Sequence, residues 1–335
     1  MDSVGSDEAV IATNDDASSC KRCAVALGYW RDRYISYFVR STDRKAPEIN
    51  RGYFARSVAI KMLVDKFIEV TNGNCQIVNI GAGFDTLYWR LVDEGKSVKG
   101  FVELDFPGVT SRKCLYIQRT KQLLQAISDE DYDVKLNRNN LHAHTYKLTG
   151  VDLRNITEVE AKVKESDLEY SLPTLFLAEC VLVYMTIQKS SQLMKWIAEK
   201  FKSAFFINYE MVNLGDRFGE VMLSNLRSRG CDLAGAEACQ STETQRKRFL
   251  DAGWAGADSY DMIGIWARLP PEEIARVTQI ELLDEQELLH QLFSHYAITT
   301  AWTDHRWSDV QLHNKWLILH KTKIYHSDTV ALTHG

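Results

Sequence analysis

QIVNIGAGFDT, residues 76–86, has the order of a buried strand, a glycine turn and the first turn of a helix. A second apolar segment, FVELD at residues 101–105, follows it and ends in Asp105, 22 residues beyond Gly83. Small residues let a backbone approach a ligand closely, and a carboxylate at the end of the next strand can accept hydrogen bonds from both hydroxyls of a ribose. This layout is typical of a site for a nucleotide-like cofactor.

The glycine turn departs from the fingerprint of dinucleotide-binding proteins. The third glycine is missing, because Phe84, Asp85 and Thr86 follow Gly83, and no other residue marks a pyrophosphate cradle. The departure favours S-adenosylmethionine over NAD. A glycine turn alone also occurs between the strand and helix of any α/β protein, so the prediction depends on the rest of the chain.

Three later apolar segments each carry a carboxylate at or near the C-terminal end. They are YKLTGVD (146–152), TLFLAEC (174–180) and AFFINYE (204–210). Open parallel sheets bind ligands at the edge formed by the C-terminal ends of their strands. The pattern predicts a doubly wound, mostly parallel α/β sheet with its site at that edge.

The remaining segments are predicted from periodicity and helix breakers. Helices are expected at 24–40 and at 51–70, the second with Asn50 as N-cap, and they would form a lid (residues 20–72) over the cofactor. Residues 1–19 are acidic and rich in small residues, which predicts a disordered tail. Other expectations are a polar, helical insertion at 212–252 on the substrate side, strands near 253–260 and 297–303, a helix at 284–296 and a C-terminal extension of uncertain order at 304–335.

Composition limits the classes of function. The net charge is −5 and the pI about 6.0, which argues against a nucleic-acid binder. No apolar run approaches the ~18 residues of a membrane helix, no signal peptide is evident, and seven scattered cysteines favour a reducing cytoplasm. Residues 21–61 hold ten Lys or Arg against three acids, part of which could gather an anionic partner.

Metal binding has little support in the sequence. Cys20 and Cys23 form a single CxxC without a second pair at ligand spacing. Five of the nine histidines lie in the last 32 residues, but 6 to 8 residues separate neighbours, so no pair has one-turn spacing. We expect no metal site.

Several sequence motifs carry a family resemblance. They are KAPEINRGYFAR (45–56), IVNIGAGFDT (77–86), ELDFP (103–107), LPTLFLAECVLVYM (172–185) and FINYEMVNLGDRFG (206–219), together with the shorter KR (21–22), GYW (28–30) and CDLAG (231–235). Over about residues 20–302 the chain resembles the leucine carboxyl methyltransferases. The resemblance implies a Rossmann-like class I methyltransferase domain at 20–303 with a seven-stranded sheet. It also implies S-adenosylmethionine as cofactor, S-adenosylhomocysteine as product, and methyl esterification of the C-terminal leucine of the protein phosphatase 2A catalytic subunit by a monomer.

Site roles carried over from the family fall on matching residues. Lys21 and Arg56 would reach into the site, with Arg56 pairing with the methionyl carboxylate of the cofactor and lying close to the substrate carboxylate. Gly81 and Gly83 would form the turn under the methionyl part, and Asp105 would hold the ribose.

Three further cofactor contacts follow from the same resemblance. Asp152 and Leu153 would flank the adenine, and Glu179 would face the ammonium side of the cofactor. Tyr184 is added here as a pocket wall that orients the substrate carboxylate. Lys21, Arg56 and Tyr184 are the expected catalytic residues.

The reaction needs no general base. A C-terminal carboxylate has a pKa of about 3.3 to 3.7 and is already the nucleophile at neutral pH. Transfer of a methyl group from a sulfonium to a carboxylate neutralises two charges, so a dry pocket that holds the reacting atoms in line lowers the barrier. We therefore expect positioning and water exclusion rather than a catalytic triad.

Two alternatives remain at this point. One is a carboxyl methyltransferase of the transfer-RNA wybutosine type, for which a long C-terminal repeat region would be expected. The other is a non-catalytic module that binds the phosphatase and keeps the cofactor pocket only for structure.

Overall fold

The computed structural model describes residues 4–40 and 43–312. Within them, one nine-stranded sheet has the order β3-β4-β5-β2-β1-β6-β7-β9-β8. The strands are β1 Gln76–Ile80, β2 Gly100–Asp105, β3 Lys135–Leu136, β4 Asn140–His142, β5 Tyr146–Gly150, β6 Thr174–Glu179, β7 Ala204–Met211, β8 Gly256–Asp261 and β9 Tyr296–Trp302.

The sheet has the predicted architecture. Neighbours from β5 to β7 run parallel, and β9 is inserted antiparallel between β7 and β8. The two short strands β3 and β4 add an antiparallel edge to the expected seven. The doubly wound α/β fold is confirmed, and the strand count is nine rather than seven in the described residues.

Helices cover both faces of the sheet. They are α1 Val4–Ala26, α2 Ile35–Phe38, α3 Pro47–Val70, α4 Leu87–Asp93, α5 Pro107–Arg119, α6 Lys121–Ile127, α7 Ile156–Glu165, α8 Ile187–Lys200, α9 Arg217–Ser228, α10 Thr242–Asp251, α11 Met262–Trp266, α12 Pro271–Thr278 and α13 Gln286–Ser294. All residues of β1, β5 and β7 are buried, because apolar helix faces pack on both sides of the central strands.

The N-terminal segment differs from its prediction. Val4–Ala26 is one helix, so the expectation of a disordered tail at 1–19 is wrong for the described residues 4–19. The acids that suggested disorder pair instead with arginines of the folded body. This helix lies over the C-terminal ends of the parallel strands.

The predicted lid helices also begin and end elsewhere. In place of a helix at 24–40, α1 ends at Ala26, Gly28 follows with a φ of +89°, and α2 is one short turn. α3 starts at Pro47 because proline fits the first turn of a helix. Asn50 is therefore inside α3 rather than its cap, and its Nδ2 donates to the Glu281 carboxylate at 2.8 Å.

The C-terminal half refines two predictions, the insertion at 212–252 and the helix at 284–296. α10 packs against the sheet through Phe249, whose ring lies 5.1 Å from that of Phe206, so it is a regular covering helix rather than part of an insertion. The predicted helix at 284–296 is present as α13, whereas α11 and α12 were not predicted. The segment between β7 and α10, which contains α9, is left as the insertion.

Residues 304–312 belong to the packed domain. The buried ring of Trp307 lies 4.9 Å from that of Phe67, and its Nε1 donates to Ser203 Oγ at 3.0 Å. The rest of the predicted extension, residues 313–335, with four of the five tail histidines, lies outside the described residues.

Candidate active site

A cavity of about 420 Å³ lies where β1, β2, β6 and β7 end, underneath α1. From β1 the chain moves outward to β2 and β5 and then returns to β6 on the other side of β1. Such a switch point opens a crevice at the C-terminal ends of the strands, where open α/β sheets bind their ligands. All nine predicted site residues line this cavity: Lys21, Arg56, Gly81, Gly83, Asp105, Asp152, Leu153, Glu179 and Tyr184. Their roles stay predictions.

The glycine turn forms the floor of the cavity. Gly81 has a φ of +64°, and a Cβ there would lie 2.4 Å from Val181 Cγ2. Gly83 has a φ of +52°, and its Cβ would lie 2.4 Å from Asn14 Oδ1. The positive φ would strain a side chain at either position, and at Gly81 a Cβ would also clash with Val181.

Asp105 ends β2 beside this turn. Its Oδ2 accepts the Gly83 N–H and its Oδ1 accepts the Phe106 N–H, both at 2.7 Å. Burial raises the pKa of Asp105 to about 6, although the two N–H donors oppose the shift. A carboxylate has about four acceptor positions, so each oxygen can still accept a hydrogen bond from a ligand hydroxyl.

Lys21, Arg56 and Glu179 meet at the other side of the cavity. Glu179 Oε2 lies 2.5 Å from Arg56 Nε and 3.3 Å from Lys21 Nζ. Burial would raise the pKa of Glu179, but the Lys21 ammonium and the Arg56 guanidinium outweigh it and lower the pKa to about 2. Two cations and one anion leave an excess positive charge in a nearly dry place, which favours an anionic ligand.

Arg56 is held by aromatic rings as well as by Glu179. Its guanidinium carbon lies 4.4 Å from the ring centre of Tyr209 and 5.5 Å from that of Tyr53. The Tyr209 ring stacks in turn on Tyr296 at 5.3 Å. The guanidinium therefore has little rotational freedom, and the wall around it is flat and largely apolar.

Asp152 and Leu153 follow β5 at the opposite end. The Asp152 carboxylate accepts from Arg154 Nε at 2.9 Å and from Arg154 Nη2 at 2.8 Å. Burial would raise the pKa of Asp152, but these bonds to Arg154 lower it. Leu153 is buried and adds apolar surface beside the pair.

Tyr184 is set by a turn that Glu210 holds. It ends the 3₁₀ turn Leu182–Tyr184, in which the Val183 N–H donates to Glu210 Oε2 at 3.0 Å. The Val183 carbonyl accepts from the Gly235 N–H of the insertion at 2.8 Å. The insertion and β7 thus fix the wall that carries Tyr184.

Sequence reasoning missed most of the covering wall. The cavity-lining residues of α1 include Asp7, Ile11, Asn14, Ser18 and Lys21, and Asn14 Oδ1 accepts the Phe84 N–H at 2.8 Å. Their spacings of 4, 3, 4 and 3 place them on one helix face. Only Ile11 among these five residues is apolar, so no apolar periodicity marks this helix face in the sequence.

A glycine turn at a sheet switch point, a carboxylate after the second strand and a charged cluster opposite define a class I methyltransferase fold with a site for a nucleoside-type cofactor. The leucine carboxyl methyltransferase family model matches residues 9–198. The chain belongs to this family, which confirms the predicted resemblance and makes the protein an S-adenosylmethionine-dependent carboxyl methyltransferase.

Individual relatives agree with the family match. Leucine carboxyl methyltransferase 1 of Bos taurus is 48% identical over 298 residues, which cover 88% of this chain and 90% of that protein. The Caenorhabditis elegans protein of the same name is 42% identical, with 89% and 92% covered. The tRNA wybutosine-synthesizing protein 4 of Homo sapiens is more distant, at 36% identity over 88% of this chain and 44% of its own length. Among solved structures, a putative methyltransferase from Thermobifida fusca matches 80% of this chain and 92% of its own at 12% identity and a TM-score of 0.45, too slight a similarity to bear on function.

Two features are absent from residues 4–40 and 43–312. None of their helices combines the length and apolar character that crossing a membrane requires. Among the same residues, no group of three or more His, Cys, Asp or Glu side chains is arranged to hold a metal ion.

Proposed function

We propose that the protein methylates the α-carboxylate of a C-terminal leucine, and that its substrate is the catalytic subunit of protein phosphatase 2A in the cytoplasm. The observation that carries the proposal is the cluster of Lys21, Arg56 and Glu179 beside an aromatic wall. A terminal leucine offers one carboxylate and one branched apolar side chain. A fixed cation next to flat apolar surface complements both groups.

The cofactor-binding residues divide the cavity into two ends. Asp105 would accept the ribose hydroxyls with the acceptor positions that Gly83 and Phe106 leave open. Asp152 and Leu153 would flank the adenine. Gly81 leaves room for the methionyl part, and Glu179 would face its ammonium group. When bound, S-adenosylmethionine supplies an electrophilic methyl group on a positively charged sulfur.

The residues of this chain then act by placement. Arg56 is held by Glu179, Tyr53 and Tyr209, so it can pair with the methionyl carboxylate of the cofactor and lie close to the substrate carboxylate without reorganising. Lys21 adds a second positive charge, and Tyr184 walls the same space. α1 above and the glycine turn below exclude water from the reacting groups, which favours a step that neutralises charge. The substrate carboxylate is already ionised, so none of these residues has to remove a proton.

The segment between β7 and α10 would receive the protein substrate. It packs against the turn of Tyr184 through Gly235 and lies beside the cavity through Leu226 and Arg229. A single leucine offers little contact area, so we expect recognition to include the folded surface of the phosphatase. We expect the enzyme to act as a monomer.

The test is transfer of labelled methyl from S-adenosylmethionine to purified phosphatase catalytic subunit, intact or lacking its last residue. We expect label only on the intact protein, and much less on a short peptide with the same C-terminus. Equal labelling of the truncated subunit would contradict the leucine assignment. Equal labelling of the peptide would contradict recognition of the folded surface.

Arg56→Ala separates catalysis from a merely structural pocket. We expect it to abolish transfer and to weaken S-adenosylmethionine binding in a calorimetric titration, whereas Arg246→Ala, on an exposed helix face, should change neither. Unchanged transfer in Arg56→Ala would exclude the proposed role of the cluster. Failure of the wild-type protein to bind the cofactor or transfer methyl would favour the non-catalytic module.

A further inference from the structure

Three carboxylates on α1 form ion pairs with three arginines of the body. The pairs are Asp7–Arg154, Asp15–Arg112 and Asp16–Arg229. The first is bidentate, with N–O distances of 2.8 and 2.9 Å, and the second has distances of 3.1 and 2.8 Å. These contacts reach from different sides of α1 to three separate parts of the chain.

Arg154 and Arg229 line the cavity, and Arg112 lies beside it. Arg154 also binds Asp152 on the predicted adenine side. Arg112, on α5, lies over the Phe84 ring at 4.9 Å, next to the glycine turn. Arg229 follows α9 in the insertion on the proposed substrate side. The cover is therefore fastened at both the cofactor end and the substrate end.

We infer that Arg112, Arg154 and Arg229 are positioning residues that seat α1 over the bound cofactor and, through α1, place Lys21. Every partner in these pairs is partly solvent-exposed, from 27% for Arg154 to 58% for Arg229. Exposed pairs are individually weak and are screened by salt. The N-terminal part of α1 can thus lift for exchange of the cofactor and close again, while Ala24 stays buried in the core, and the closed position depends on ionic strength.

The Asp16–Arg229 pair connects closure of α1 to the insertion on the proposed substrate side. α1 and the insertion share an apolar cluster that includes Val10, Leu226 and Tyr184. A cofactor that holds α1 closed therefore also completes the wall on the substrate side. The protein substrate should bind better after the cofactor than before it, and by reciprocity it should slow loss of the cofactor. This second part rests on the proposed function.

The first experiment needs no protein substrate. The dissociation rate of S-adenosylhomocysteine is measured by stopped flow for the wild type, Asp16→Arg, Arg229→Asp and the double exchange. Each single reversal replaces attraction by repulsion, so we expect S-adenosylhomocysteine to dissociate about tenfold faster. The double exchange should bring the dissociation rate most of the way back to that of the wild type. Arg227→Asp is the matched control, because Arg227 is in the last turn of α9 and pairs with Asp232 rather than with α1.

Rescue by the double exchange distinguishes positioning from a general loss of structure. The inference is overturned if the single reversals leave dissociation unchanged, if Arg227→Asp accelerates it equally, or if the exchange fails to restore it. Raising NaCl from 50 to 500 mM should accelerate dissociation from the wild type more than from the single reversals; equal acceleration would contradict an electrostatic fastening.

The second experiment uses the phosphatase subunit as substrate. We expect Arg229→Asp to raise KM for the protein substrate more than it lowers kcat, since Lys21 and Arg56 are retained. A loss confined to kcat would overturn the coupling between the two ends. Failure of the proposed function would show as no transfer by the wild type, and it would leave the dissociation measurements intact.

Discussion

Carboxylate–cation pairs occur both below and above the glycine turn, in opposite environments. Below it, Lys113 Nζ lies 2.5 Å from Glu103, and neither side chain has any solvent exposure. The same ammonium donates to the Asp85 carbonyl of the turn at 2.8 Å, and Tyr146 OH donates to Glu103 at 2.7 Å. Above it, the α1 pairs are partly exposed and no deeper than the rim.

Ion pairs of the same chemical kind serve two purposes in these two places. A buried ion is costly unless its partner stays in place, so the Glu103–Lys113 pair fixes the turn permanently. An exposed ion can exchange its partner for water at little cost, so the α1 pairs can open. The glycine turn therefore forms a rigid floor of the cavity, and α1 forms a cover that can open.

The largest effect is expected from breaking the buried pair. Lys113→Met leaves Glu103 buried without a cation and should lower the free energy of unfolding by about 3–5 kcal/mol. Urea denaturation measures this value. Lys113→Met combined with Glu103→Gln should recover part of it, because the uncompensated charge is gone. A loss below about 1 kcal/mol in the single variant, comparable to an exposed pair, would end the contrast between floor and cover.

The cluster at Glu179 lies between the two extremes, because its members are mostly buried but face the cavity. Glu179→Gln should weaken S-adenosylmethionine binding by about 1.5–3 kcal/mol, the usual contribution of a hydrogen bond to a charged group. Calorimetry checks this value, with Glu243→Gln on the surface as the control. Equal affinities of the two variants would show that Glu179 does not contact the cofactor.

Asp105 gives the site its expected pH dependence. Its pKa of about 6 lies above that of an Asp in the unfolded chain, so the folded protein without cofactor binds this proton more tightly than the unfolded chain does. The contribution of Asp105 to the free energy of unfolding therefore falls as pH rises towards 6. Ribose hydroxyls need the ionised form, so cofactor affinity should fall by up to about tenfold per pH unit below pH 6.

Titrations between pH 5 and 7.5 test this profile. Asp105→Asn should bind weakly with a flatter pH dependence. Glu179, with a pKa of about 2, stays ionised throughout and adds nothing. A wild-type profile without a decline towards pH 5 would rule out Asp105 as the titrating acceptor.

The smallest effect is expected at the cover. Asp15→Asn removes the charge from one exposed pair and should change the free energy of unfolding by less than about 1 kcal/mol. Urea midpoints in low and high salt measure it, and the small difference from wild type should vanish at high salt. A loss as large as that of Lys113→Met would mean that α1 is part of the rigid core.

Features that depend on residues close together in the sequence were predictable. The floor of the site is one example: apolar strands ending in acids, with a glycine turn between the first two, placed Gly81, Asp105 and Glu179 at one edge. The motifs shared with the family then added Lys21 and Arg56 to the predicted site. Each of these inferences depends on local pattern, which survives without knowledge of the packing.

The cover could not be predicted in the same way. The acids of residues 7–16 resemble those of a solvated tail until Arg112, Arg154 and Arg229 are brought around them by the fold. The start of α3 was misplaced because Asn50 is a common cap, whereas Pro47 begins the helix and Glu281, far along the chain, binds Asn50. Partners distant in sequence decided both outcomes.

The ring of Trp307 against Phe67 has a practical consequence for how the chain can be shortened. A chain cut after residue 303, just beyond β9, would strip that ring from α3 and leave Ser203 without its indole partner. The exposed aromatic surface would promote aggregation during expression. A chain ending at Leu312 would keep both contacts of Trp307.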